Sequence, residues 1–438
     1  MSSPAAPIAR PTVREALPVW AKIGLLSFGG PTGQIALMHG ELVEKRRWVS
    51  DARFVHALNY CMLLPGPEAQ QLSIYVGWLL HGVRGGLVAG LLFVLPGALL
   101  LWGISWLYLA QGHVPAVAAI FAGLKPAVLA IVAFAVLRIG RKILKRPLLW
   151  TIAAAAFAGI FWLKLPFPAI VLSAGIVGLI GGKYFPDYFP VAEQHRSGSA
   201  PAISDDATHV MPPPSAKRTV RTLAFWAAIW VAPLGFAWVT LGSPHVLFQQ
   251  GLFFSKAALV TFGGAYAVLP YVAQQAVETH GWLTATQMID GLGLAETTPG
   301  PLVLVLQHVG FLGGWHFPAP FSPLGAATLC ALMTTWCTFV PGFLFIFAGA
   351  PYVEAMRANE WIGRAMSAIT AAIVGIVLNL AVWFGLNVLL PDGARLDWLS
   401  LGLAVAAFVA LQKFKWNVVR VVLICGALGF LFHLANFR

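Results

Sequence analysis

Long apolar runs separated by short polar stretches dominate the chain. They fall at 17–40, 54–80, 86–109, 114–137, 148–163 and 167–183, then at 222–240, 246–271, 285–314, 322–349, 363–390, 398–411 and 417–436. Runs of this length predict helices that enter or cross a hydrocarbon core about 30 Å thick. Between the two series lies 184–221, where Pro186, Pro190, Pro201, Pro212, Pro213 and Pro214 sit among Ser, Asp205, Asp206, Lys217 and Arg218. That composition reads as a polar, proline-rich linker. The predicted organisation is a tail over 1–16, a first membrane repeat over 17–183 and a cytoplasmic linker over 184–221. A connecting transmembrane helix over 222–240 and a second, inverted membrane repeat over 241–438 complete it.

Composition supports an all-α polytopic membrane protein. Hydrophobic residues make up 59% of the 438 positions and charged residues 10%, against about 25% charged in a soluble domain. Mean hydropathy is +0.79. A soluble enzyme, a nucleic-acid binder and a disordered scaffold are excluded by this balance. The net charge of +12 therefore points to cytoplasmic loops and lipid headgroups rather than to nucleic acid. Cys61, Cys330, Cys337 and Cys425 lie in apolar stretches without CxxC spacing and read as small buried residues. The start of the chain lacks a signal-peptide pattern, so the first apolar run is expected to be retained.

The two series are related. Residues 27–67 align with 261–301 at a constant offset of 234, without a gap, and ten of the 41 positions are identical. Ser27-Phe28-Gly29-Gly30 meets Thr261-Phe262-Gly263-Gly264, Trp48 meets Trp282, and Pro65-Gly66-Pro67 meets Pro299-Gly300-Pro301. Chance alignment of apolar runs matches Leu, Ala and Val; matches on Gly and Pro punctuation mark an internal duplication.

Basic residues set the expected orientation. In the first copy, Lys45, Arg46, Arg47, Arg53, Arg84, Arg138, Arg141, Lys142, Lys145 and Arg146 fall in one set of loops, and Lys164 alone in the alternate set. In the second copy the counterpart loops hold only Arg395, and the alternate set holds Arg357, Arg364, Lys413, Lys415 and Arg420. The copies are thus expected to insert in opposite directions. Residues 53–80 then start and end on one side, with Pro65-Gly66-Pro67 between two arms of about 11 residues, roughly 16 Å of helix each. That is a re-entrant or broken hairpin. Residues 17–40, interrupted at Gly29-Gly30-Pro31, and 246–271 are either full spans or re-entrant.

Broken helices at membrane depth expose backbone groups that hold ions. Helices starting after Pro67 and Pro301 would aim their N-terminal N–H groups at the midplane, an arrangement that favours an anion. Gly29, Gly30, Gly263 and Gly264 let backbone N–H groups approach it. Ser27, Thr261, Thr297, Thr298, Gln34, Asn59, Gln70 and Gln71 supply further donors. A tetrahedral oxyanion fits so many donors; the alternative is that the glycines and prolines only shape packing. Charges inside apolar segments are few and therefore informative. Lys22 and Lys256 either balance a dianion or snorkel to the interface. Glu68 and Glu296 either couple transport to protons or form internal caps and ion pairs. Asp290 and His56 share the offset and either gate or pair. Trp48 and Trp282 read as interfacial anchors. His308 and His316 flank a predicted loop. No HExxH, P-loop or GxSxG is present; no enzyme, metal or cofactor is implied.

Together these motifs resemble the chromate ion transporter family. The resemblance rests on Ser27-Phe28-Gly29-Gly30-Pro31, Glu44 through Trp48-Val49-Ser50, Pro65-Gly66-Pro67-Glu68-Ala69-Gln70, Gly77-Trp78 and Pro96-Gly97, with the second series Thr261–Gly264, Trp282-Leu283-Thr284 and Thr298–Pro301. It implies a bacterial inner-membrane exporter of chromate that confers resistance, with sulfate as chemical analogue. The implied partners are the oxyanion and the bilayer, and a homodimer is compatible. The second copy departs from the first at Ala265 for Pro31 and Leu302 for Glu68, so the copies are not equivalent.

Overall fold

The computed structural model describes residues 11–112, 114–190, 215–352, 360–391, 393 and 395–436. Most of the expected linker and the first ten residues of the tail lie outside these. Among the described residues the chain is all helical. The first half comprises α1 (Val13–Leu26), α2 (Gly30–His39), α3 (Asp51–Cys61), α4 (Glu68–Gln111), α5 (Pro115–Ile143), α6 (Pro147–Phe161) and α7 (Phe167–Tyr184). Helix α8 (Ala216–Leu241) covers the connecting segment. The second half comprises α9 (Val246–Val260), α10 (Ala265–Ala273), α11 (Ala285–Thr297), α12 (Val305–His316), α13 (Pro323–Gly349), α14 (Glu360–Leu389), α15 (Trp398–Gln412) and α16 (Val418–Asn436). Seven of these helices are long and apolar enough to cross a membrane. Large apolar side chains such as Leu99, Leu172, Phe236 and Val239 face outward, the reverse of a soluble protein and the expected face toward lipid. The chain is a multi-pass membrane protein.

The local chemistry of the duplication reappears at the same offset of 234. Both α2 and α10 run into a π-helical turn, Gly40–Lys45 and Gln274–Thr279. The Trp48 N–H donates to Leu42 O and the Trp282 N–H to Ala276 O, each at 2.8 Å. Ser50 caps α3 by accepting from Arg53 N–H, and Thr284 caps α11 by accepting from Gln287 N–H. Trp48 and Trp282 differ from the expected anchors: they are 7% and 2% exposed. The Arg46 guanidinium lies 5.2 Å from the Trp48 ring and the His280 ring 4.5 Å from that of Trp282.

Helix α4 is two helices. His81 and Gly82 leave helical geometry, with Gly82 at φ 62°, and the limbs double back. Gly77 and Gly85 touch backbone to backbone: a Cβ on either would stand 2.5 or 2.2 Å from the other's carbonyl oxygen. Helix α3 and the first limb of α4 pack on one another as a helix pair joined at Pro65-Gly66-Pro67, the segment expected as a re-entrant or broken hairpin over 53–80. Residues 285–316 repeat it through α11 and α12. Helix α2 also turns back. Continued along α1, it would carry Glu41 roughly 16 Å past the break; instead Lys22 Nζ lies 2.9 Å from Glu41.

Counterpart helices of the two halves run antiparallel. A Cβ at Gly86 in α4 would meet Phe347 in α13, one at Gly90 would meet Phe343, and Trp102 Nε1 donates to Thr328 Oγ1 at 3.1 Å. Helices α5 and α14 do the same, with Gly140 against Val374 and Gly385 against Leu129. The halves also exchange neighbours. Helix α7 packs on α14, through Gly178 against Arg364 and Ala365, while α16 packs on α5, through Gly429 against Ala119 and Gly123. These contacts bring the α4 hairpin turn, the end of α5, the start of α8 and the start of α14 to one end of the molecule. Arg84, Arg141, Lys142, Lys145, Lys217 and Arg364 gather there.

At this basic end Lys22 and Lys45 hydrogen-bond Glu41 at 2.9 and 2.7 Å. They hold the Glu41 carboxyl below the usual carboxylate range. A depressed carboxylate stabilises the fold above its unfolded pKa of about 4.3 and loses that contribution as pH falls through its folded pKa. Glu41→Gln is therefore expected to melt below wild type at pH 7 in detergent. The gap should close as pH falls below about 4; an equal gap at both pH values would contradict this role.

Candidate functional site

The two breaks of each half meet those of the other half. Gly66 N–H donates to Thr261 O at 2.7 Å, and Gly300 N–H donates to Ser27 O at 2.9 Å. These bonds are related by the offset: Gly66 corresponds to Gly300, and Ser27 to Thr261. Each Pro-Gly-Pro turn is thus held by the Gly-Gly turn of the opposite copy. Gly66 (φ 116°), Gly300 (φ 94°), Gly29 (φ 84°), Gly30 (φ 72°), Gly263 (φ 75°) and Gly264 (φ 92°) all have positive φ, a backbone that side chains rarely tolerate. The prolines on either side of Gly66 and Gly300 lack N–H groups and end the incoming helix.

Four helices start around this crossing. Helix α2 begins after Gly29 and α10 after Gly264, while α4 begins after Pro67. A 3-10 turn over Leu302–Leu304 opens α12, and α10 packs against that turn. The first turn of each helix carries N–H groups with no partner in its own helix and the positive end of the dipole. Such a cluster suits an anion and supplies more donors than a single helix end.

The polar side chains fall into three groups. The hydroxyls of Ser27, Thr261, Thr297 and Thr298 donate to Ile23, Ala257, Leu294 and Ala295 carbonyls within their own helices. Their single protons are committed there. Three buried glutamines come from the first copy. Gln34 Nε2 donates to Gly300 O at 2.6 Å, Gln71 Nε2 to Pro65 O at 2.7 Å, and Gln70 Nε2 to Phe339 O at 3.4 Å. Gln34 Nε2 also donates to Ser27 O at 3.4 Å, the Gln70 and Gln71 amides each retain a second N–H, and each of the three Oε1 atoms is unpaired among the described residues. The counterparts Val268, Leu304 and Val305 are apolar, so the first copy supplies the side-chain polarity. Asn59 is exposed on α3 and is not drawn into the crossing.

The charged candidates lie in different surroundings. Lys22 is bound to Glu41 rather than placed at the crossing, and Lys256 is exposed. Glu296 is 3% exposed and accepts a hydrogen bond from the Tyr266 hydroxyl. Glu68 is half-buried beside Pro67. The cations that act on them come from α5: Arg138 on Glu296 and Lys142 on Glu68. Asp290 pairs with Tyr108, at 2.9 Å, rather than with His56. His308 does not flank a loop; it is fully buried within α12.

Two contributors were not singled out as site residues. Gly97 carries the closest approach to the second break: a Cβ there would lie 2.1 Å from Pro299 O. Tyr266 holds Glu296. The signal for Gly97 was its repeat as Pro96-Gly97 and Pro341-Gly342; for Tyr266 there was none.

The chromate transporter family profile matches residues 15–179 and 248–430, the two helical halves without α8. The chromate transport protein of Pseudomonas aeruginosa is 34% identical over 424 residues, covering 94% of this chain and 90% of that protein. The chromate transport protein of Cupriavidus metallidurans is 28% identical over 405 residues, covering 92% and 89%. A probable chromate transport protein of Synechococcus elongatus is 29% identical, covering 85% of each. No solved structure matches the chain. With both halves matched and a relative of this likeness along nearly its full length, the chain belongs to the chromate transporter family.

Proposed function

We propose that the protein is a secondary transporter that exports chromate across the bacterial cytoplasmic membrane and so confers chromate resistance. The observation that carries this reading is the exchanged pair of hydrogen bonds, Gly66 to Thr261 and Gly300 to Ser27, with four helix starts around it. The anion binds there on backbone N–H groups, assisted by Gln34, Gln70 and Gln71. The halves act as inverted repeats, a reading supported by the antiparallel course of α4 and α13. The basic end faces the cytoplasm.

Glu68 and Glu296 flank the crossing and repel an anion unless their charge is offset. We assign them to charge balance, opposed by Lys142 and Arg138 of α5. An inside-negative potential favours exit by about 2.3 kcal/mol per charge per 100 mV, and roughly twice that for a dianion. Export thus needs no ATP. Sulfate shares the charge and tetrahedral shape of chromate, so it is expected to compete.

Proteoliposomes holding the purified protein test this directly. Labelled chromate should move faster than in empty vesicles and respond to an imposed potential, and sulfate should slow it. Movement of neither anion in either direction would refute the proposal.

A further inference from the structure

Away from the crossing, near the end opposite the basic one, four helices enclose a second polar cluster. Ser105 Oγ of α4 lies 2.8 Å from His308 Nδ1 of α12. One turn further along α4, the Tyr108 ring meets the His308 ring edge to face at 5.6 Å, and its hydroxyl donates to Asp290 Oδ2 of α11 at 2.9 Å. Lys125 of α5 acts electrostatically on Asp290. The imidazole sits directly on α11: a Cβ at Gly291 would lie 2.3 Å from His308 Cδ2.

Two atoms in this cluster are unpaired among the described residues, Asp290 Oδ1 and His308 Nε2. Their residues are 3% and 0% exposed. A buried polar atom without a partner costs about 1–3 kcal/mol, so packing alone does not account for both. In the tautomer that donates Nδ1–H to Ser105, Nε2 is a bare lone pair near the Gln287 backbone, as Oδ1 is beside Tyr108. These atoms are acceptors without donors, and the smallest group that satisfies such an atom is a proton. A carboxylate and an imidazole buried together at membrane depth are a functional arrangement by default.

We propose that Asp290 and His308 form a proton-binding site that couples oxyanion movement to a pH gradient. This rests on the transport reading above and adds a coupling ion and its location. The proton is taken from water on one side and returned to water on the other, so nothing is oxidised or reduced. His280 stacks on Trp282, and His316 Nδ1 lies 2.8 Å from Trp282 O. His316 stands eight residues beyond His308 on α12, roughly 12 Å along the axis. Coupling to the crossing follows from the chain itself: α11 and α12, which carry Asp290 and His308, are the two arms that hold Pro299-Gly300-Pro301.

The titratable groups around Asp290 are Lys125 on α5, Tyr108 on α4 and His308 on α12. Helix α16 adds Cys425 and His433, and the only charged residues of α14 are Glu360 and Arg364, both in its first two turns.

The test uses the full-length protein in proteoliposomes with the membrane potential clamped at zero. Chromate flux under an imposed pH gradient is compared with chromate–chromate exchange without one. In wild type the gradient should accelerate net flux. Asp290→Asn and His308→Gln should keep exchange within about twofold yet lose at least tenfold of the gradient response, and Asp290→Glu should recover part of it. Asp290→Glu and His308→Gln carry the test if Asp290→Asn fails to fold. Variants that respond to the gradient like wild type, or that lose exchange and gradient response together, overturn the inference. A wild type that moves chromate but ignores the gradient overturns it while leaving the transport reading intact; one that moves no chromate overturns both.

Discussion

Replacing Gly300 or Gly66 by leucine is expected to abolish chromate binding while leaving membrane insertion intact. Both glycines sit at φ near or above 90°, where a side chain costs about 1–3 kcal/mol in backbone strain alone. Space adds to this. A Cβ at Gly300 would lie 2.9 Å from Leu304 and 3.5 Å from the Gly97 Cα, and one at Gly66 would lie 2.9 Å from Gln71 Nε2. The strained turn can relax only by moving the N–H that reaches the opposite copy, so the exchanged bonds to Ser27 and Thr261 break. The apolar helices on either side still partition into lipid, so insertion persists. Equilibrium binding of labelled chromate in detergent, with surface labelling for insertion, measures both. Normal binding in the two variants would remove the crossing as the site.

The second large effect separates two glycines that look alike. Gly97 and Gly342 each follow a proline within a long helix, Pro96 in α4 and Pro341 in α13. A Cβ at Gly97 would stand 2.1 Å from the Pro299 carbonyl oxygen, a backbone atom within the second break. One at Gly342 would stand 2.8 Å from Gln70 Oε1, the tip of a flexible side chain. Alanine at 97 must push the Pro-Gly-Pro turn away, an overpacking of about 1–3 kcal/mol. Alanine at 342 needs only a rotamer change. Gly97→Ala is therefore expected to reduce chromate flux about tenfold or more, since 1.4 kcal/mol is a factor of ten. Gly342→Ala should stay within about threefold of wild type, a spread matching a few tenths of a kcal/mol. Equal losses in the two variants would contradict this reading of the contact.

Much of the architecture was legible in the chain. Local signals repeat wherever the backbone demands the same conformation twice, which is why the Gly-Gly and Pro-Gly-Pro breaks and the caps at Ser50 and Thr284 fall at one offset. What local sequence does not encode is partnership. Gly66 and Thr261 are nearly two hundred positions apart, and nothing in either motif says that it meets the other copy rather than its own. The same holds for Tyr108 with Asp290 and for Arg138 with Glu296, where partners come from helices brought together only by packing. The hydroxyls of Ser27, Thr261 and Thr298 were expected to face the anion because they adjoin the breaks. They turn inward because a helix in an apolar setting satisfies a hydroxyl most cheaply on its own preceding carbonyl. The Trp48 and Trp282 rings were expected at the interface because tryptophan prefers it. They are buried instead, Trp48 beneath Arg46 and Trp282 against His280, next to the π turns.

The exchanged bonds between the halves also limit how the protein can move. Sliding one half past the other would break both bonds in a single step, whereas tilting the halves about the line joining them would stretch neither. The crossing then serves as a fulcrum. Displacement would grow with distance from it while the glycines hardly shift, and the exchanged packing of α7 on α14 and of α16 on α5 would have to slide to allow the tilt. An ion held at that point would pass from one side's access to the other's without being carried any distance itself.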